Sequence, residues 1–485
     1  MSPAAARRGA LALALAGLAT AALAPDAARA GGFEIPDNGV FALSRGAAFV
    51  ARADDPTALA LNPGGLIRLS GTHLLYNHAL VWEDATFTRQ ESDLRPGHDY
   101  GFDPLAPVSN EDALFPLGAM LIATTDFGTD DFTFAAGVYG PNAHGQKSWP
   151  IHGGQRYMLT DFSALLLYPS IALAYGDRES FGIGATLQWV MVPSMKLSLV
   201  VDGTTEGTEL SAYYSGTDVE AQIDMSDNTG FSALLGAWWR PVPELEVGVS
   251  GRVVPAQMRL DGDFSVRAIP GQATFTAAQL EITDSAAHLD FVVPPNARAG
   301  VRYRHLEGER EVFDVELDVV YEAWSMVERY DVELDGMINL FAATEAADAT
   351  IEKRWRDTVS VRLGGTGTVW SEGEDALAVS LGGYWERGAV PENYEHLDFM
   401  GFDRVGLGVG VRATLGQMRL TAAYSHVFQG DRVVDERYGK VYQQRPVDPC
   451  PDSCDGNAGW SGVPANAGTF ESGYDLLAVG VEAAF

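Results

Sequence analysis

Cysteine is almost missing from this 485-residue sequence, with only Cys450 and Cys454 present. A scaffold held by several disulfides is therefore excluded. Basic residues are scarce as well: 33 Lys and Arg stand against 65 Asp and Glu, a formal charge of −32. Neutralising phosphates needs a basic footprint, so nucleic acid is excluded as a partner. Long apolar runs are the third shortage. The longest, Ala10 to Leu23, is shorter than the roughly 20 residues of a spanning helix. It follows Arg7-Arg8 and precedes Ala28-Arg29-Ala30, the pattern of a secretory signal peptide, with cleavage expected after Ala30. A mature chain without a membrane helix leaves two classes, exported soluble domains and outer-membrane barrels. In an exported chain, Cys450 and Cys454 of the polar CPDSC stretch are expected to form a local disulfide. So small a ring adds little chain entropy and serves loop shape. A two-cysteine metal site would need further ligands, and the nearest histidine in sequence, His426, lies on a predicted strand.

Catalytic motifs are lacking too. The nine histidines are dispersed, with no HExxH and no CxxC. Ser250 sits inside a predicted strand, without the strand-to-helix elbow of a hydrolase nucleophile. The glycine-rich pieces at 182–184, 364–367 and 406–410 lack the spacing and following helix that cradle a phosphate. They read as strand glycines that admit a close approach. Neither an enzyme nor a cofactor or metal is expected.

What is present, from Gly71 onward, is a series of strand-like segments of about 10 to 13 residues, the length of tilted membrane strands. They fall near 71–82, 116–125, 131–140, 161–175, 181–192, 229–240, 244–256, 286–304, 311–327, 355–368, 376–387, 402–414, 417–428 and 473–485. Short connections such as Asp126–Asp130 and Leu415–Gly416 alternate with long polar ones such as Glu83–Phe115 and Gln429–Ser472. An even strand number with alternating short turns and long loops is the pattern of a closed bacterial barrel. In the last segment Leu477, Val479, Val481, Ala483 and Phe485 form a wholly apolar face, while Gly480, Glu482 and Ala484 form a small or charged one. Period two with a greasy outside and a tolerant inside fits a membrane wall.

Residues Gly31 to Gly71 fit no barrel pattern. A short amphipathic piece around Val40–Val50 stops at Asp54-Asp55-Pro56, because Asp favours local side-chain bonds and Pro restricts the residue before it. A second piece, Thr57–Leu61, ends in the turn cluster Asn62-Pro63-Gly64-Gly65, which leaves no space for a regular element. Two such helices cannot bury themselves. They need a container.

Ser44-Arg45-Gly46-Ala47-Ala48-Phe49-Val50-Ala51, Ala53-Asp54-Asp55-Pro56-Thr57-Ala58-Leu59 and Asn62-Pro63-Gly64-Gly65-Leu66 resemble the start of the FadL family, outer-membrane transporters of long-chain fatty acids and related hydrophobic compounds. Tyr168–Tyr175, Asp314–Ser325 and Trp355–Gly364 resemble further strands of that family. The family's Asn-Pro-Ala is Asn62-Pro63-Gly64 here, and glycine makes for a less fixed turn.

The resemblance implies an all-β fold: a transmembrane antiparallel β-barrel of about 14 strands, plugged by a small N-terminal helical hatch. Residues 1–30 would be the signal, 31–70 the hatch and 71–485 the barrel with long extracellular loops. It also implies passive transport with lateral exit into the outer membrane of a Gram-negative bacterium. The cargo would be a long-chain fatty acid or another hydrophobic small molecule. Phe33, Phe41, Phe49 and Leu61 would border the inner pocket, with Asn62, Pro63 and Gly64 as its movable floor. Gly137, Gly140, Pro141 and Asn142 would interrupt the wall, since Pro cannot donate to a ladder and Gly weakens it. Lys147, Arg156, Lys196 and Arg259 are the candidate partners of a ligand carboxylate. Expected partners besides the cargo are outer-membrane lipid, lipopolysaccharide and, through terminal Phe485, the barrel assembly machinery. An uptake channel of the same family for aromatic or other hydrocarbons and a closed structural or adhesive barrel remain as alternatives.

Overall fold

The computed structural model describes residues 32, 35, 38–90, 101–141, 145–202, 218–271, 275–339, 343–444 and 464–485. Cys450, Cys454, Phe33, Asn142 and the segment 1–30 lie outside them. Fourteen long strands form a single ring: β1 Thr72–Arg89, β2 Leu114–Thr125, β3 Phe132–Val138, β4 Ser170–Asp177, β5 Phe181–Asp202, β6 Asp218–Val242, β7 Leu245–Val254, β8 Asn296–Glu307, β9 Arg310–Glu322, β10 Thr358–Glu372, β11 Asp375–Glu386, β12 Arg404–Leu415, β13 Met418–Gln429 and β14 Gly468–Ala484. Each pairs antiparallel with the next. The ring closes where β14 meets β1, from His73↔Ala484 to Arg89↔Gly468. Closure satisfies the backbone groups that an open sheet would leave bare in lipid.

Side-chain alternation divides outside from inside. Leu477, Val479 and Val481 of β14, with Ile171, Leu173 and Leu407 elsewhere, are exposed on the outer face. The inner face carries buried charge, including Glu246, Arg302, Asp314, Glu316 and Glu482. Two predicted strands each prove to be two elements. Asp161–Leu167 is separated from β4 at Tyr168-Pro169, and Ile282–Val293 is separated from β8 at Pro294-Pro295, because proline cannot continue the ladder. Between the predicted strands 181–192 and 229–240, the described residues 193–202 and 218–228 are strand, since β5 and β6 run on beyond the barrel rim. There they join Ala256–Ala268, Ile282–Val293 and Arg329–Ile338 in a sheet at the loop end.

Residues 38–71 lie inside the ring. Helix α1 (Val40–Ser44) and helix α2 (Ala58–Leu61) are one turn each, followed by a 3₁₀ turn at Pro63–Arg68. The Asn62-Pro63-Gly64-Gly65 cluster is thus regular after all. Asn62 caps it by accepting from Gly64 N at 3.2 Å, and Pro occupies the first helical position, where no N–H is needed. Helices this short are not stable by propensity, so the wall must hold them.

It does so in two ways. Glycines on the inner face let the hatch backbone touch the strands. A Cβ on Gly184 would fall 2.3 Å from Pro63 O, on Gly236 2.2 Å from Asn62 Oδ1, on Gly248 2.2 Å from Val50 O and on Gly408 2.2 Å from Leu43 O. Gly64 itself has no clearance for a Cβ, with Ala237 Cα at 2.7 Å, so its turn is fixed by contact. The second hold is ionic. Arg45 donates to Asp314 at 2.9 and 2.7 Å and to Glu316 at 3.1 Å, and all three side chains are fully buried. Arg52 reaches Asp314 at 3.0 Å. Asp318 accepts from the N–H groups of Phe49 and Val50 at 2.8 and 3.0 Å, and Glu316 from Ala51 N at 2.7 Å.

Removing one partner of a buried ion pair typically costs about 3–5 kcal/mol. Arg45→Met is expected to destabilise the hatch on that scale while the barrel ladder persists. The check is faster proteolysis within residues 38–71 at unchanged heat-modifiable migration of the barrel. Gly236→Leu is expected to displace the turn at Asn62 and Pro63 by steric exclusion, seen as increased ion conductance across a planar bilayer.

Candidate functional site: a cavity through the barrel wall

Between β2 and β3 the ladder is incomplete. β2 and β3 pair only from Leu121↔Val138 to Thr125↔Phe134, and β3 meets β4 only as far as Gly137↔Ser170. On its other flank β2 slips against β1 between Ala79 and Val81. Among the described residues, positions 114–120 have no ladder partner on the β3 side. Across the gap stands Asp161–Leu167, which pairs with β5.

A cavity of about 360 Å³ occupies this gap. Asn38, Gly39, Val40 and Leu43 of the hatch close it on the inside. Phe115, Met120, Gly140, Pro141 and the strand Asp161–Leu167 supply its walls. Tyr76, Leu121 and Val138 also line it and are exposed on the apolar outer face, so the cavity runs from the hatch to the lipid-facing surface. Glycine keeps it open: a Cβ on Gly140 would lie 2.8 Å from Leu166 O, and one on Gly145 2.5 Å from Ala164 O.

Towards the loop end a chain of rings leaves the cavity. Phe162 meets Phe399 at 5.3 Å, Phe399 meets Trp355 at 6.1 Å, and Trp355 meets Trp324 at 5.3 Å and Tyr330 at 6.3 Å. Centroid separations of this size are favourable for edge-on aromatic pairs. Trp324 and Trp355 are both buried.

The cations near this path are already matched by acids. Lys147, the cross-strand partner of Phe162, donates to Glu83 at 2.8 Å and to Leu397 O at 3.3 Å. Arg156 is buried against Asp218 and Tyr157. Lys196 lies 3.7 Å from Asp161, and Arg259, more than half exposed, bonds Glu333 at 3.0 Å. Lys353, absent from the sequence-based candidates, donates to Asp398 at 2.5 Å, and His396 lies 2.8 Å from Asp398. Burial pushes the Lys353 ammonium and the His396 imidazole down from their ordinary values, against the pull of Asp398. Burial would raise the Asp398 carboxyl, but His396 and Lys353 outweigh it and hold the group far below the usual carboxylate range.

The hatch residues expected at a pocket have other neighbours. Phe41, Phe49 and Leu61 pack on one another with Ala42. The Phe41 ring carries the Arg412 guanidinium 3.3 Å from its centroid and that of Arg52 at 4.8 Å. Asn62 donates to Val50 O at 2.8 Å and to Ala237 O at 3.0 Å, tying hatch to wall, and Pro63 and Gly64 sit against Gly184 and Gly182 of β5. Of the positions expected to interrupt the wall, Gly140 and Pro141 line the cavity, whereas Gly137 is within the β3 ladder. Sequence reasoning passed over Asn38, Met120, Phe162, Leu165 and Phe399. The signal nearest to them was Pro169, a break inside the segment 161–175 read as one strand.

The family model "Outer membrane protein transport protein (OMPP1/FadL/TodX)" matches residues 21–458. Among solved structures, a Pseudomonas aeruginosa FadL homologue superposes with a TM-score of 0.72 at 14% identity, over 94% of this chain and 100% of that one. The Pseudomonas putida toluene transporter TodX gives 0.63 at 14% identity, over 92% and 98%. The Ralstonia pickettii toluene transporter TbuX gives 0.57 at 13%, over 92% and 98%. At such identities the likeness is one of fold. No curated protein matches the sequence significantly. With the family model covering nearly the whole chain and the barrel closed around its hatch, this chain belongs to the OmpP1/FadL/TodX family and is a β-barrel transport protein of the Gram-negative outer membrane.

Proposed function

We propose that this barrel passes neutral hydrophobic compounds across the outer membrane by passive diffusion, with lateral release between β2 and β3. The observation that carries the reading is the cavity itself, which reaches from the hatch to the lipid-facing surface without a Lys, Arg, Asp or Glu among the described residues of its lining. A solute arriving at the loop end would follow the rings from Trp324 to Phe162, enter beside Val40 and Leu43, and leave past Leu121 and Val138 into lipid. Asn62, Pro63 and Gly64 serve as the floor that keeps the lumen shut towards the turn end, so the sideways route is the one left.

Burial of apolar groups is favourable by about 0.8 kcal/mol per CH₂. Moving from cavity to membrane exchanges one apolar surrounding for another, and no energy source is required. A long-chain fatty acid in its carboxylate form fits less well. Each of the four candidate cations already has an acid partner, and Lys147, beside Phe162, would have to exchange Glu83 for the ligand. Two of the structural relatives carry the name toluene transporter, in keeping with a neutral cargo.

Ala119→Phe, at the lipid-facing mouth, and Ala164→Phe, in the wall, place rings on the cavity lining. Overpacking costs of 1–3 kcal/mol correspond to a fall of about tenfold or more in protein-dependent hydrocarbon uptake. Leu381→Phe, on the exposed outer face of β11, is expected to leave uptake as it was; unaltered uptake in Ala119→Phe would contradict the route. Lipid extracted from the purified protein and identified by mass spectrometry is expected to be neutral. A stoichiometric fatty acid would replace this reading with carboxylate transport.

A further inference from the structure

We infer that the wall cavity contains a polar subsite, made by the carboxamides of Asn38 and Asn77, for the hydroxyl of an otherwise apolar solute: an alcohol or a phenol. This rests on the transport reading above and names the solute class that the same cavity prefers.

Asn38 precedes α1 on the hatch side, and Asn77 points inward from β1; both line the cavity. Around them the lining is apolar, with Val40, Leu43, Met120, Phe162 and Leu165. Carboxamides in such surroundings are expected to be paired inside the protein. These are not. The Asn77 amide donates only to Met120 Sδ, at 4.0 Å, and thioether sulfur is a weak acceptor. Asn38 makes no side-chain hydrogen bond among the described residues, and its Oδ1 is shielded from solvent without a partner. Elsewhere the hatch uses the same residue type differently, since Asn62 engages both ends of its amide. A shielded carboxamide oxygen without a partner and a second amide held only by a sulfur, both on one cavity, are the feature that calls for a ligand.

A carboxamide offers two donors and an acceptor. A hydroxyl complements either end, donating to the oxygen or accepting from the NH₂, and rotation about the terminal bond of Asn38 exchanges the two. A hydrocarbon leaves both amides unmet, and unmade bonds to buried polar groups disfavour it. A carboxylate accepts only and carries a charge that the described lining residues do not answer. The expected order is therefore alcohol or phenol first, hydrocarbon second and carboxylate last.

The experiment is uptake of labelled 1-decanol, decane and decanoate at pH 7.5 by cells with and without the full chain, repeated with Asn38→Leu and Asn77→Leu. Protein-dependent uptake should favour decanol over decane by roughly five- to tenfold, the worth of one net hydrogen bond, and each leucine should collapse that ratio towards one. Heat-modifiable migration verifies the barrel. Should Asn77→Leu fail to fold, Asn38→Leu, on the hatch, decides alone. Equal handling of decanol and decane, unmoved by the substitution, overturns the subsite and leaves the transport reading standing. Preferred uptake of decanoate overturns the subsite in favour of a cationic one. No protein-dependent uptake of any of the three overturns the transport reading, and the subsite with it.

Discussion

Everything inside this barrel depends on one arrangement of charge. Arg45 and Arg52 come from a segment too short to fold alone, while Asp314, Glu316 and Asp318 stand at alternate positions of β9 and share the inward face. Arg302 from β8 adds to the same set, reaching Asp314 and Glu246 at 2.6 Å each. Charges sequestered from water are costly unless matched in position. Here the acids also accept from successive backbone N–H groups at Phe49 to Arg52, so chain path and ion pairing fix each other. The hatch is ordered because the wall is acidic along one strand. The wall tolerates that acid because the hatch brings guanidinium groups and amides to it.

Period-two alternation, even strand number and alternating connection lengths made the barrel legible in the sequence, since they follow from a bilayer outside and a filled lumen inside. The hatch was legible from Asp54-Asp55-Pro56 and Asn62-Pro63, which break any helix that could stand by itself. Where the reading slipped, two hydrophobic stretches with the same composition lay end to end, as at 161–175 and 286–304. Composition does not say that the chain turns at Pro169 or Pro294. The proline does.

The site was harder to read for a physical reason. Its cavity is bounded by residues from the hatch, five strands of the ring (β1, β2, β3, β5 and β14), the strand Asp161–Leu167 and the loop-end sheet, and contacts between such distant positions leave no local pattern. Charged residues near it looked available in the sequence because their partners, such as Glu83 for Lys147 and Asp218 for Arg156, come from elsewhere in the chain. Gly64 shows the opposite case. It reads as a loosened turn, yet contact with Ala237 leaves no space for anything larger.

The break between β2 and β3 has a consequence in hydrogen-bond accounting. A strand edge facing lipid exposes peptide groups that have no water to turn to, and that ordinarily forbids an opening at membrane depth. Pro116 lies on one lip of this opening and Pro141 on the other, and neither has an N–H to lose. The wall thus parts where fewer donors would be stranded by parting. A molecule taking the proposed lateral route would meet a seam that exists before it arrives, so its passage would break no rung of the ladder. On that route the resistance would be set by width and greasiness, not by the strength of the sheet.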